Sequence, residues 1–157
     1  MATAAPISEP LAGDLWIFYA IDLPDRLQYL TGGQLAAIGV ERGELRALAI
    51  ENLGRLISGV VRIEGNDDLG VYAIYGDGTY ESSFLLLDAF WAATSEQLGA
   101  PPVIGVPSRD IVLFARSDDP EATAARRRIT EELEAEAGYA ISRQLYVRGE
   151  TGWAVKR

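Results

Sequence analysis

"VIGVPSRDIVLFARSDD", Val103 to Asp119, decides how the chain folds. Two runs of β-branched and aromatic residues flank Pro107, Ser108, Arg109 and Asp110. Such runs, parted by proline and polar residues, read as two strands joined by a tight connection. Pro107 suits the second position of a type I turn, so the turn is expected over Val106–Arg109. An extended chain after it would set Arg109 beside Ile111 and Leu113, and Asp110 beside Val112 and Phe114 on the opposite face. Asp119 is a good N-cap and Pro120 a good first helical residue. The helix that follows is expected to end at Gly138, with Ala122, Ala125, Ile129 and Leu133 inward. Its outer face would carry Arg126, Arg127 and Arg128 with Glu131, Glu132, Glu134 and Glu136, as a solvated face with ion pairs.

Working outward from this hairpin, "SSFLLLDAFWAATSEQLG" (82–99) reads as the most apolar helix, with Ser82 or Ser83 as cap and Gly99 at its end. A helix apolar nearly all round is buried on several sides or forms a partner surface. Asp88 interrupts it, and a buried carboxylate must reach water or an arginine. Before it, "GVVRIEG" and "LGVYAIYG" form two strands about "NDDL"; the acidic residues there lack the spacing of a calcium loop and read as a turn. Residues 42–58 form a helix with Leu45, Leu48, Ala49, Leu53, Leu56 and Ile57 on one face, and Asn52 on that face as a buried amide with a backbone partner. "TGGQLAAIGV" carries capping-box spacing at Thr31 and Gln34. "DLWIFYAID" (14–22) reads as one buried strand ending at "LPD". The chain closes with a hairpin of "AISRQLYVR" and "TGWAV".

The order is β-α-α-ββ-α-ββ-α-ββ. Hairpins favour antiparallel pairing and the helices between them must cover a sheet. The expected fold is α+β, two-layer, with a mostly antiparallel or mixed sheet and helices packed on it. Residues 1–13 are expected to be a flexible arm and residues 14–157 a single domain.

Composition excludes more chemistry than it suggests. The 157-residue chain has no cysteine and no histidine. Disulfides, thiolate or imidazole metal sites, and serine–histidine or cysteine–histidine catalysis are therefore absent from its repertoire. No Gly-rich phosphate loop occurs, and the single lysine, Lys156, is next to the end. No cofactor and no metal are expected. The net charge of −9 opposes binding to nucleic acid. The longest apolar runs fall short of the roughly 20 residues that span a bilayer. "MATAAPISEP" lacks the features of a secretory signal. The expected setting is the cytoplasm, without membrane or nucleic-acid partners.

Carboxylates, arginines and hydroxyls remain. Asp22, Asp25, Asp88 and Asp110 are the carboxylates in structured context, and turns or caps account for most of them.

"YAIDLPDRLQYL", "ELRALAIENLGRL", "GTYESSFLLLD", "VPSRDIVLFA" and "ISRQLYV", in that order, resemble the YtpQ-like family of bacterial proteins, from about Trp16 to Val155. Members are often longer, with an extra N-terminal region. The resemblance implies a uniform domain and brings no established activity. It directs attention to Asp22, Asn52, Asp88, Arg109 and Asp110, which lie in the matching segments. The leading expectation is a non-catalytic module that binds a protein partner or forms a homo-oligomer. The rival is a carboxylate-dependent hydrolase or small-ligand-binding domain using Asp22, Arg109 and Asp110. Arg109 is expected to pair with Asp22 or Asp88.

Overall fold

The fold is described from a computed structural model over residues 4–59 and 61–157. The first three residues of the expected arm, and Val60 in the expected strand "GVVRIEG", lie outside the described residues. The chain falls into two compact units, Met1–Asn52 and Leu53–Arg157.

In the N-terminal unit, β1 (Ser8–Ala12) pairs antiparallel with β2 (Leu15–Phe18), and β3 (Ala20–Leu23) pairs antiparallel with β4 (Arg26–Tyr29). Ser8–Ala12, within the expected loose arm, is therefore strand. The expected single strand 14–22 is two strands that change partner at Tyr19. There the Tyr19 N–H donates to the Ile7 carbonyl (3.2 Å), the Ile7 N–H to the Leu30 carbonyl (2.8 Å), and the Leu30 N–H to the Tyr19 carbonyl (2.8 Å). These three bonds satisfy the backbone where the ladder switches. The strand is not buried throughout. Leu15 and Ile17 are buried, while Trp16 and Phe18 alternate outward.

Helix α1 (Gly32–Ile38) starts on the capping box read from the sequence: Thr31 takes the Gln34 N–H, and the Gln34 side chain takes the Thr31 N–H. Helix α2 (Leu45–Ile57) buries Leu45, Leu53 and Ile57, but Leu48 and Leu56 are exposed. The apolar face is narrower than its periodicity suggests, and Asn52 stands outside it, exposed to solvent. Its expected burial as a hydrogen-bonded amide is thus overturned.

The C-terminal unit is built on one six-stranded sheet. Its strands are β5 (Arg62–Asn66), β6 (Val71–Tyr75), β7 (Pro102–Ser108), β8 (Ile111–Arg116), β9 (Leu145–Gly149) and β10 (Gly152–Val155). The order is β10-β9-β7-β8-β6-β5, and every pairing is antiparallel. Three sequence hairpins thus become one sheet, because β7 and β8 at its centre each take a second neighbour. Val103, Ile104, Val112 and Ala115 are wholly buried there.

The hairpin turn differs from expectation. Ser108 stands opposite Ile111, so Arg109 and Asp110 alone make the connection. The register slips between Gly105 and Ser108, leaving Val106 and Pro107 against the single residue Val112. This is a bulge, a position that tolerates a proline without an N–H to give the ladder. The Pro107 and Val106 carbonyls instead accept from the Ile141 and Ser142 N–H groups, at 3.0 and 3.1 Å. The proline therefore bends a strand and does not end it.

The fold class read from the hairpins, α+β with an antiparallel sheet and helices packed on it, is the one observed, although the helices of this unit lie on both faces and not in the two layers expected. Helices cover both faces of the sheet. On one face lies α4 (Pro120–Glu136), capped by Asp119 as expected. Ala122 joins Val103, Ala115 and Leu145, and Thr130 packs so closely on Gly105 that an added methyl there would collide with it. Ile104 and Phe114 point the other way. There α3 (Asp88–Leu98) sets Trp91 edge-on to Phe114 and to Trp153, with ring centres 5.5 and 5.2 Å apart.

The expected helix 82–98 is interrupted. A 3₁₀ turn, Glu81–Leu86, gives way to α3 at Leu87, whose ψ of 83° is not helical. An unbroken helix would have spent the Phe84 and Leu85 carbonyls on backbone N–H groups four residues on. Here two buried indoles use them: Trp91 Nε1–H donates to Phe84 (2.7 Å) and Trp153 Nε1–H to Leu85 (2.9 Å). The break lets Phe84, Leu85 and Trp91 all reach the core.

Candidate functional site

The tip of the β7–β8 hairpin is where polar side chains gather. Arg109 is half-buried, and three elements hold it. Its Nε–H donates to the Gly78 carbonyl at 3.0 Å. Its guanidinium lies over the Tyr139 ring, 4.0 Å from the centroid. Its own backbone N–H donates to the Tyr139 carbonyl (3.2 Å), and its carbonyl accepts from the Ser82 N–H (3.1 Å). Arg109 therefore ties the loop after β6 and the segment after α4 to the hairpin.

Asp110 is exposed and its carboxylate accepts a hydrogen bond from the Ser108 hydroxyl. Beside it opens a cleft of about 600 Å³. Asp77, Asp110 and Glu136 line it together with Ser108, Tyr75 and Tyr139. That volume lies within the range of small-molecule sites. Three carboxylates around one opening suit a polar or cationic molecule by charge. Among the described residues, no group of three or more histidine, cysteine, aspartate or glutamate side chains is placed to hold a metal ion. Behind the cleft wall, Glu81 is wholly buried, with one oxygen taking the Gly78 N–H at 2.8 Å and the other unpartnered.

The other residues singled out in the sequence lie elsewhere. Asp22 sits on β3 in the N-terminal unit, exposed and opposite Leu27. Asn52 is exposed on α2. Asp88 opens α3 and pairs with Arg148 at 2.7 Å, its side chain 78% exposed. Its exposure removes the burial problem that its place in an apolar run had posed. Arg148 in turn lies over the Trp153 ring at 5.4 Å. Arg109 does not take up the expected pairing with Asp88, whose carboxylate goes to Arg148, and Asp22 belongs to the other unit. A backbone carbonyl and a ring hold the guanidinium where a carboxylate was expected.

Sequence reasoning missed Gly78, Tyr139 and Arg148 as partners. A lone glycine or tyrosine in a loop carries no spacing signal, and the Arg148–Asp88 pair spans 60 residues. It also put Arg126 on the outer face of α4, whereas Arg126 is buried with Ala122 and Thr130 at i, i+4, i+8. Ile129 is half-buried and Leu133 exposed, so the inner stripe is rotated from the one expected.

No helix among the described residues is long and apolar enough to cross a membrane. No family model matches the chain, and no solved structure matches it. It is similar to a UPF0354 protein of Listeria innocua serovar 6a, 30% identical over 105 residues, which are 66% of this chain and 38% of the relative. It is also similar to a UPF0354 protein of Listeria monocytogenes serotype 4b, 27% identical over 120 residues, 75% of this chain and 44% of that one. The chain spans less than half the length of these curated relatives. Its relatives are thus bacterial UPF0354 proteins, at about 30% identity.

Proposed function

We propose that the chain is a YtpQ-like, non-catalytic interaction module, whose docking face is the aromatic side of the N-terminal strands and whose partner is a second copy of itself. One observation carries this reading. Trp16 and Phe18 on β2 are 56 and 53% exposed, and Leu27 and Tyr29 on β4 are 43 and 61% exposed. Trp16 and Phe18 share one face of β2, and Phe18 meets Tyr29 with ring centres 5.7 Å apart. Large apolar side chains scattered singly need no explanation, but a contiguous group of them marks an interaction surface. The apolar helix 82–98, the surface first suspected, supports the reading no longer, because Trp91 is wholly buried.

Charge favours a second copy at this face. Two chains of net charge −9 repel each other over most of their surface. β2 carries no charged residue, and Arg26 at the start of β4 is paired with Asp25 at 3.0 Å. The Trp16–Phe18 part of this face carries no carboxylate, and a two-fold contact repeats the same patch on both sides. Asp22, across from Leu27, then takes a place at the polar rim.

Sedimentation velocity over a concentration series tests the proposal. A concentration-dependent dimer is expected for the wild type. Trp16→Ser combined with Phe18→Ser should give a monomer with an unchanged far-UV circular dichroism spectrum. A wild type that is monomeric at every concentration, or a dimer that survives both substitutions, overturns the reading.

A further inference from the structure

Arg126 is the least provided-for charge in the C-terminal unit. It is 9% exposed, on the face of α4 that packs on the sheet, and its Nε–H is buried without a hydrogen-bond partner. Carboxylates outnumber cations in this chain, 23 against 14. Other arginines of the unit have found one: Arg116 pairs with Asp118, Arg128 with Glu132, Arg143 with Glu134 and Arg148 with Asp88. Arg127 donates to the Lys156 carbonyl at 3.1 Å. Arg126 takes part in no ion pair among the described residues. Burial alone holds its pKa below the usual arginine range, and no neighbouring carboxylate acts against that. An unpaired buried charge is destabilising, so a counter-charge bound beside it would stabilise the fold.

A second orphan lies one turn earlier on the same helix. Thr123 Oγ1 is buried and has no partner. Thr123 precedes Arg126 by three residues, which makes the two neighbours on the helix surface. Helical side chains lean in general toward the N-terminal turn, which here is the turn that carries Thr123. Thr130 Oγ1 is also buried and unpartnered, but it is pressed onto Gly105 and has no room for a ligand. The buried donors that remain open are the Arg126 Nε–H and the Thr123 hydroxyl. A planar fork with an adjacent hydroxyl matches the oxygens of a carboxylate or phosphate, which take two parallel N–H bonds and a third from the side. Asp119 caps the helix one turn away and takes the Ala122 N–H at 3.0 Å. Its charge limits the site to a small anion held by the arginine, and the helix end alone does not supply it.

We propose that Arg126 and Thr123 form a binding site for a small oxyanion between α4 and the sheet. Inorganic phosphate and acetate, each compared with chloride at equal ionic strength, separate the two oxyanion classes. In the full chain labelled with ¹⁵N, the Arg126 Nε–H resonance should move saturably with phosphate or acetate, and the class that saturates at the lower concentration is the one the site takes. Chloride should not move it. Arg126→Met should melt above the wild type in oxyanion-free buffer, because the uncompensated charge is gone, and should gain nothing when the oxyanion is added. Thr123→Val keeps the shape of the side chain and should weaken the titration several-fold without abolishing it. No saturable movement with either oxyanion, an equal response to chloride, or the same oxyanion-dependent rise in melting temperature in Arg126→Met overturns the site.

Discussion

The Arg109 guanidinium rests 4.0 Å from the centre of the Tyr139 ring while its Nε–H holds the Gly78 carbonyl. One side chain thus joins three loops that meet at the hairpin tip. No carboxylate takes part in this arrangement, so its strength comes from a charge-assisted hydrogen bond and a cation–π contact. Arg109→Met should then cost about 1–3 kcal/mol. Tyr139→Leu, which removes only the ring contact on a residue 66% exposed, should cost about 0.5–1 kcal/mol. Urea unfolding of both variants gives the comparison. Equal losses, or none for Arg109→Met, would show that the loops hold without the arginine.

Trp91 and Leu87 separate the buried part of the interrupted helix from its break. Trp91 is wholly buried, donates to the Phe84 carbonyl, and packs against three aromatic rings. Trp91→Ala should destabilise by about 3–5 kcal/mol, the range for removing a large core aromatic. Leu87 is half-buried at the break, and Leu87→Ala should cost about 1–2 kcal/mol. A continuous helix would have made the two losses similar, so thermal or urea melts that show equal losses would count against the break.

The contrast shows what the sequence could and could not tell. Local signals held wherever the decisive partner was a few residues away: the Thr31–Gln34 box, the Asp119 cap, the Pro120 start and the strands around Val103–Phe114 all read correctly. Readings failed where a distant group settled the outcome. The helix breaks at Leu87 because an indole 68 residues on takes the Leu85 carbonyl. The strand 14–22 switches partner at Tyr19 because Ile7 and Leu30 meet there. Arg126 is buried although it sits in an arginine triplet, because a rotation of the helix by one position decides which residue faces the sheet. Of the five residues singled out for a site, Arg109 and Asp110 stand together at the hairpin tip, and only Asp110 of the two lines the cleft. Asn52 and Asp88 are exposed on helices, and Asp22 belongs to the other unit.

Gly105 and Thr130 offer a test of how tightly α4 lies on the sheet. A methyl added at Gly105 would stand 3.0 Å from Thr130 Cγ2 and collide with its hydroxyl. Gly105→Ala should cost about 1–3 kcal/mol through overpacking. Thr130→Ala removes the obstructing atoms, so the double variant should be more stable than the sum of the single losses predicts. A double-mutant cycle on urea midpoints measures this coupling. Simple additivity would mean that the helix can shift away from the strand.

Tyr19 should give the N-terminal unit a dependence on alkaline pH. Its phenol is buried and donates to Glu9 at 2.7 Å. Burial first, and then the hydrogen bond and charge of Glu9, push its pKa up from 10.0 to about 12. The folded state therefore favours the neutral phenol more than the unfolded chain does. The stability this confers, on the order of 2 kcal/mol, is present in full below the unfolded pKa and is lost as pH rises through the folded one. The variant Tyr19→Phe is the reference. It lacks the hydrogen bond and should be less stable by about 1 kcal/mol at neutral pH, yet lose less between pH 9 and pH 12. Urea midpoints followed across that interval for both proteins read the difference. Parallel curves would show that Tyr19 ionises as an ordinary exposed phenol and that its bond to Glu9 does not persist in solution.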